Sequence, residues 1–141
     1  MPTALGMNEL ETMREAAGFL SYTIQINAGP YSSEAADLAY HFAVAVLAKG
    51  HRLRRVFFYA DGVYHALKLS APPQDESNKV TRWTELAEIH RVDLVICSAA
   101  AQRRGVWSPE AEPELAAGFR VAGLALLAES ILETDRLLVF D

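Results

Sequence analysis

The run from Val92 to Cys97, with every residue but Asp93 apolar, constrains the fold more than any other stretch of the chain. It stops at small and polar residues, Ser98 followed by Ala99, Ala100 and Ala101. A segment so short and so apolar can face water on neither side, which is the pattern of a buried strand in a parallel sheet. Ser98 and the three alanines read as the first turn of a helix, so Cys97, the only cysteine, is expected at a strand-to-helix junction. Free backbone N–H groups and the positive end of a helix dipole favour an anion there, and the thiolate is the reactive form of cysteine. Arg103 and Arg104, just before Gly105 ends the segment, add positive charge that favours the thiolate. The competing reading is a buried small hydrophobe at the end of a strand. Spacing alone leaves both open.

A chain of 141 residues, 51% of them hydrophobic, has enough apolar material for one sizeable core and the length of one domain. A net charge of -5 argues against nucleic-acid partners and acidic membrane surfaces, because both need a basic field. The densest basic cluster, residues 49–55, reads as a solvated turn between a helix and a strand. A single cysteine excludes an internal disulfide and a cysteine-rich zinc site, which fits a reducing, cytoplasmic setting. The four histidines, His41, His51, His65 and His90, lack ligand spacing, so no metal is expected. No run approaches the roughly 18 apolar residues of a membrane span, and the start lacks the pattern of a signal peptide.

Residues 1–18 read as an N-terminal extension, either partly disordered or a start-site artefact, in which residues 8–17 can make a short helix with only a thin apolar stripe of Leu10, Met13 and Ala17; residues 19–141 read as the domain. A first strand is expected at 19–27, then a turn through Gly29, Pro30 and Tyr31, with Ser32 or Ser33 capping a helix at 34–49 that Gly50 closes. That helix is apolar nearly all round, which points to cover by another chain on its far side. A second strand at 52–60, the Asp61-Gly62 turn and a short helix or helical turn at 63–69 follow. The adjacent prolines Pro72 and Pro73 mark a surface loop. Helical spacing over 77–91 puts Val80, Trp83, Leu86, Ala87 and His90 on one side. After the Cys97 strand come a loop at 106–114 with Trp107 at its tip, a short strand near 118–121, a helix at 123–134 and a closing strand at 136–140.

This alternation predicts a single three-layer α/β/α domain with a mostly parallel sheet. In such sheets the ligand site lies outside the carboxyl ends of the strands. The loops leaving those ends carry Tyr31, then Asp61 with Tyr64, then Cys97, so periodicity alone brings the thiol, two tyrosines and an acid to one edge. Asp61 is equally a turn residue, and strand-end tyrosines also serve as packing with a wet hydroxyl.

Gly29-Pro30-Tyr31, Phe57-Phe58-Tyr59 with Asp61-Gly62-Val63-Tyr64, Cys97 followed by the alanines and Arg103-Arg104-Gly105, and the ending from Gly123-Leu124 to Asp135-Arg136 stand in a characteristic order. In these motifs the chain resembles the DsrE/TusD family of sulfur-relay proteins over roughly residues 22–140. Gln25-Ile26-Asn27 and the Leu69-Ser70 to Glu76 stretch resemble the DsrE branch of sulfur-oxidising bacteria more than the tRNA-thiolating TusD branch. The resemblance implies a sulfurtransferase subunit that carries a sulfane sulfur as a persulfide on Cys97 and needs no cofactor. It further implies a hetero-oligomer with DsrF/DsrH-like or TusC/TusB-like subunits, a sulfur donor protein and a DsrC/TusE-like acceptor; the wide apolar faces of the helix at 34–49 and of residues 121–128 leave a homo-oligomer as the fallback when the chain is made alone. The acceptor is DsrC in the sulfur-oxidation reading; the alternatives are a relay toward 2-thiolation of the tRNA wobble uridine, or a subunit that only assembles. Tyr31, Asp61, Tyr64, Ser98, Arg103 and Arg104 are the candidate pocket around Cys97. Ser98 departs from the small apolar residue the family favours, and either hydrogen-bonds a bound sulfur or caps the helix.

Overall fold

The computed structural model describes residues 6–111 and 114–141; residues 1–5 of the expected extension, and Glu112 and Pro113 of the expected 106–114 loop, lie outside the described residues. Five parallel strands, β1 (Ser21–Ile26), β2 (Arg52–Phe58), β3 (Asp93–Cys97), β4 (Phe119–Ala122) and β5 (Arg136–Phe140), form one sheet in the order β4-β3-β2-β1-β5. The helices are α1 (Met7–Ala16), α2 (Glu34–Ala48), α3 (Thr81–His90), α4 (Ser98–Arg103) and α5 (Leu124–Glu133), with a 3-10 turn at Ala60–Ala66. The expected α/β class holds. Three consecutive crossovers step one way across the sheet, and the fourth returns past β1 to place β5 on its other side. Right-handed crossovers then put α2, α3 and α4 on one face and α5 on the other.

Side-chain alternation confirms the two faces. Tyr22 of β1 meets Phe42 of α2 edge-on at 5.9 Å, whereas its neighbour Thr23 reaches Thr134 beyond α5 at 3.1 Å. The α2 face holds the apolar core, with Ile24, Ile26, Val56, Phe58, Leu94 and Ile96 all fully buried. Trp83 of α3 closes it, edge-on to Tyr40 at 5.3 Å and to Phe58 at 5.6 Å. The α5 face is more polar. Asp93 accepts from Arg55 Nε at 2.7 Å and from Arg120 Nε at 2.7 Å, and Arg55 Nη1 donates to the buried Ser130 Oγ at 2.6 Å. One carboxylate thus ties β2, β3 and β4 to α5. Burial alone would raise the Asp93 pKa, but the hydrogen bonds from Arg120 and Arg55 outweigh it and hold the carboxyl below its ordinary range.

Local chemistry sets the helix ends. Ser33 Oγ accepts from the Ala35 N–H at 3.1 Å, as a cap should, and Gly50 takes the positive φ of 83° that ends α2. Asn78 Oδ1 accepts from Val80 and Thr81 at the start of α3. Several expectations shift. The short helix or helical turn expected at 63–69 is a 3-10 turn that starts earlier, at Ala60–Ala66, directly after β2. His90, expected on the buried side of α3, is exposed, because the helix ends there and Arg91 turns left-handed at φ 55°. Trp107, expected at a loop tip, is half-buried and packs on the core. The short helix that the extension allowed is present at Met7–Ala16, and, as its thin apolar stripe implied, it buries none of its side chains.

Candidate functional site

β3 delivers Cys97 to the carboxyl edge of the sheet, opposite Ala122 of β4. The chain leaves Cys97 in extended backbone, φ -67° and ψ 124°, and enters α4 at Ser98, so the cysteine occupies the cap position of that helix. Ala100 and Ala101 are the buried side of α4, and their small side chains let this short helix lie close to the sheet. Cys97 itself is 1% exposed. The strand-to-helix junction expected from sequence is present, with the thiol beneath the surface.

Three loops at this edge are tied to one another. Gly62 sits so close to the carboxyl end of β1 that a Cβ there would overlap the Ile26 carbonyl oxygen. A Cβ on Gly29 would come within 2.8 Å of Ser32 Oγ and 3.7 Å of the Asp61 carbonyl oxygen. Asp61 Oδ1 accepts from Arg104 Nε at 2.9 Å, and Arg104 Nη1 donates to the Ala100 carbonyl at 3.1 Å, which joins the 3-10 turn to α4. His65 Nε2 lies 3.1 Å from the Ala28 carbonyl oxygen; since a carbonyl can only accept, the ring is the Nε2–H tautomer.

His65 is fully buried against Phe58, and its Nδ1 has no partner among the described residues. Burial is the dominant cause that pushes its pKa down to about 4; the hydrogen bond to Ala28 opposes this only in part. The linkage has a definite sign. Between the unfolded value of 6.5 and the folded value of about 4, the unfolded chain binds a proton that the folded chain refuses, so stability falls as pH falls through that window. The loss should total about 3 kcal/mol and level off below the folded value. Asp37 and Asp93, whose carboxyls are held below their ordinary 3.8, give up their contribution only at still lower pH. Urea unfolding from pH 7.5 to 4.5 should show the slope, and His65→Gln should flatten it; equal slopes in both proteins would refute the assignment.

The other candidates divide. Asp61 and Arg104 come together beside the Cys97 helix. Tyr31 turns elsewhere, its hydroxyl accepting from the Lys79 N–H at 3.1 Å and its ring 5.5 Å from the Lys79 ammonium. Tyr64 is half-buried against the core, Ser98 is half-buried at the first turn of α4, and Arg103 is exposed. The Asp61–Arg104 pair and the His65–Ala28 tie were not foreseen from sequence. The apolar surroundings of His65 in Val63-Tyr64-His65-Ala66 were the available sign that it is buried. Among the described residues no group of three or more His, Cys, Asp or Glu side chains converges as a metal site would, and no helix is long and apolar enough to cross a membrane.

A family model described as the DsrE/DsrF-like family matches residues 20–140. The chain is 46% identical over 129 residues to the "Putative sulfurtransferase DsrE" of Allochromatium vinosum, a match covering 86% of this chain and 98% of that protein. It is 43% identical over 128 residues to the sulfurtransferase TusD of Serratia proteamaculans, covering 86% and 99% of the two chains. Among solved structures, the crystal structure of the ychN protein from E. coli superposes with a TM-score of 0.72 at 25% identity, covering 85% of this chain and 98% of that one.

Proposed function

The chain belongs to the DsrE/DsrF-like family, and from that premise we propose that Cys97 is the residue through which it moves sulfur. It is a sulfurtransferase with a sulfur-relay role, and sulfurtransferase is the activity in the names of its DsrE and TusD relatives. The observation that carries the assignment to Cys97 is the position of the chain's only thiol, at the cap of α4 on the sheet edge where three loops converge. In the forward step the Cys97 thiolate attacks the outer sulfur of a donor persulfide. A Cys97 Sγ–S bond forms, the donor S–S bond breaks, and the donor leaves as a thiolate, with no net oxidation. Transfer onward is the same exchange, with the acceptor thiolate attacking and Cys97 leaving. Incubation with a persulfide donor should raise the intact mass by one sulfur, with the label on Cys97. An unchanged mass, with and without partner proteins, would overturn the reading.

The proposed acceptor is a DsrC-like carrier in cytoplasmic sulfur oxidation, supported by the Gln25-Ile26-Asn27 stretch and by the identity to DsrE. A TusE-like acceptor on the route to tRNA thiolation is the second reading, supported by nearly equal identity to TusD. Burial of Cys97 favours a site that a partner opens. It is also the observation that supports the alternative of an assembly subunit whose neighbour carries the reactive thiol.

The reading of DsrF/DsrH-like or TusC/TusB-like partner subunits is supported by two exposed apolar surfaces. Leu132 of α5 is 87% exposed, with Leu124, Ile131 and Val139 of β5 also exposed, and Leu38 and Val44 leave the outer side of α2 apolar. Patches of this kind mark interaction sites. The chain is therefore expected to be oligomeric at low micromolar concentration, alone or with such subunits, with about 2,000 Å² or more buried per interface. Light scattering reads this directly, and a soluble monomer that binds none of them would refute it.

A further inference from the structure

At the opposite end of the sheet, a groove of about 440 Å³ runs between α1 and the amino ends of the strands. That size is within the range of small-molecule sites, roughly 300–1,000 Å³. Met7 and Leu10 of α1 and Leu47 of α2 give it an apolar wall. Met7 and Leu10 remain exposed, because α1 spends none of its side chains on the core.

The rim is cationic. Arg14, Arg52, Arg54 and Arg91 line the groove, and among the described residues Glu11 is the only carboxylate on it. Glu11 pairs with Arg52, and Glu133 lies 3.3 Å from Arg54. Arg14 and Arg91 have no ion-pair partner among the described residues. Burial and the neighbouring Arg54 lower the Arg52 pKa, the mark of like charges crowded in a partly enclosed place. In a chain of net charge -5 this concentration of guanidinium groups is local.

We propose that this groove binds an amphiphilic organic anion, a single carboxylate, sulfonate or phosphate head on an apolar body. The head is held by Arg14 and Arg91, and the body lies on Met7, Leu10 and Leu47. Guanidinium groups suit such heads because their paired N–H donors match two oxygens at once. The site is separate from Cys97 and does not depend on the sulfur-relay reading.

The test titrates the full chain with 1-anilinonaphthalene-8-sulfonate, an aromatic sulfonate that brightens in apolar contact. Saturable enhancement is expected, displaced by decanoate and not by equimolar inorganic phosphate. The double variant Arg14→Ala/Arg91→Ala should weaken binding about fivefold or more. Leu10→Asp, at an exposed position, should weaken it independently, with far-UV circular dichroism unchanged in both proteins. Displacement by phosphate as effective as by decanoate would show that the apolar wall takes no part, and would overturn the proposal. So would enhancement that survives both sets of changes and is lost in Leu132→Asp, which would put the probe on α5.

Discussion

Cys97→Ser should load no sulfur from a persulfide donor and pass none to an acceptor protein, while its far-UV spectrum and oligomeric state stay those of the parent. Serine is close to cysteine in volume, so the 1%-exposed site should accept it with little repacking; the cost is that of a hydroxyl set in an apolar place, about 1–3 kcal/mol. The hydroxyl cannot form a persulfide. Since the chain has no second cysteine, no other side chain can substitute, and residual loading should be at background. The informative failure is a variant that still supports transfer in the presence of partner subunits. That result would move the reactive thiol to a neighbour and leave this chain as a scaffold.

Gly62→Ala should destabilise the protein by about 3 kcal/mol or more, a large share of the stability of a domain this size. The reason is space and not backbone conformation. Gly62 has no positive φ, but its α-carbon lies against the carbonyl of Ile26, so any Cβ meets backbone that cannot yield. Gly105 is the contrasting control. It has φ 70° and nothing within 4 Å of a Cβ, so alanine there should cost only about 1 kcal/mol through the strained dihedral. Urea denaturation compares the two. Equal costs, or a larger one at Gly105, would mean that the close approach at Gly62 is relieved by a small shift of the 3-10 turn. If the turn does move, Asp61 moves with it, and the link to Arg104 on the Cys97 helix should loosen.

Much of this arrangement was readable from residue order. Periodicity separated strands from helices most cleanly where a strand carries an apolar run, as β3 does, and where a helix has both a cap and a terminating glycine, as Ser33 and Gly50 serve α2. It also placed Cys97 at the end of its strand, since the switch from β-branched residues to alanines is abrupt. The 3-10 turn was displaced because Asp61-Gly62 reads locally as a reverse turn, whereas contact between Gly62 and β1 makes it part of a packed helical segment. His90 fitted the apolar spacing of α3 but lies where the helix ends, and spacing carries no information about where a helix stops burying its side. Tyr31 stands on the expected loop, yet its partner is Lys79, 48 positions further on. No local pattern encodes a contact at that distance.

The strand order has a consequence for how the chain reaches this state during synthesis. β1 is paired on one side by β2, its neighbour in the chain, but on the other by β5, and Ser21 and Asp135 meet across 114 positions. As the polypeptide emerges, β1 can join β2, β3 and β4 in turn while its outer hydrogen-bonding edge stays open. That edge closes only when the β5 segment arrives, after the slowest loop in the fold has been drawn together. Until then the growing sheet presents an unpaired strand, the form most prone to pair with another chain. The same open edge gives β5 a ready template, so the last strand is placed by its neighbour and need not find its register alone.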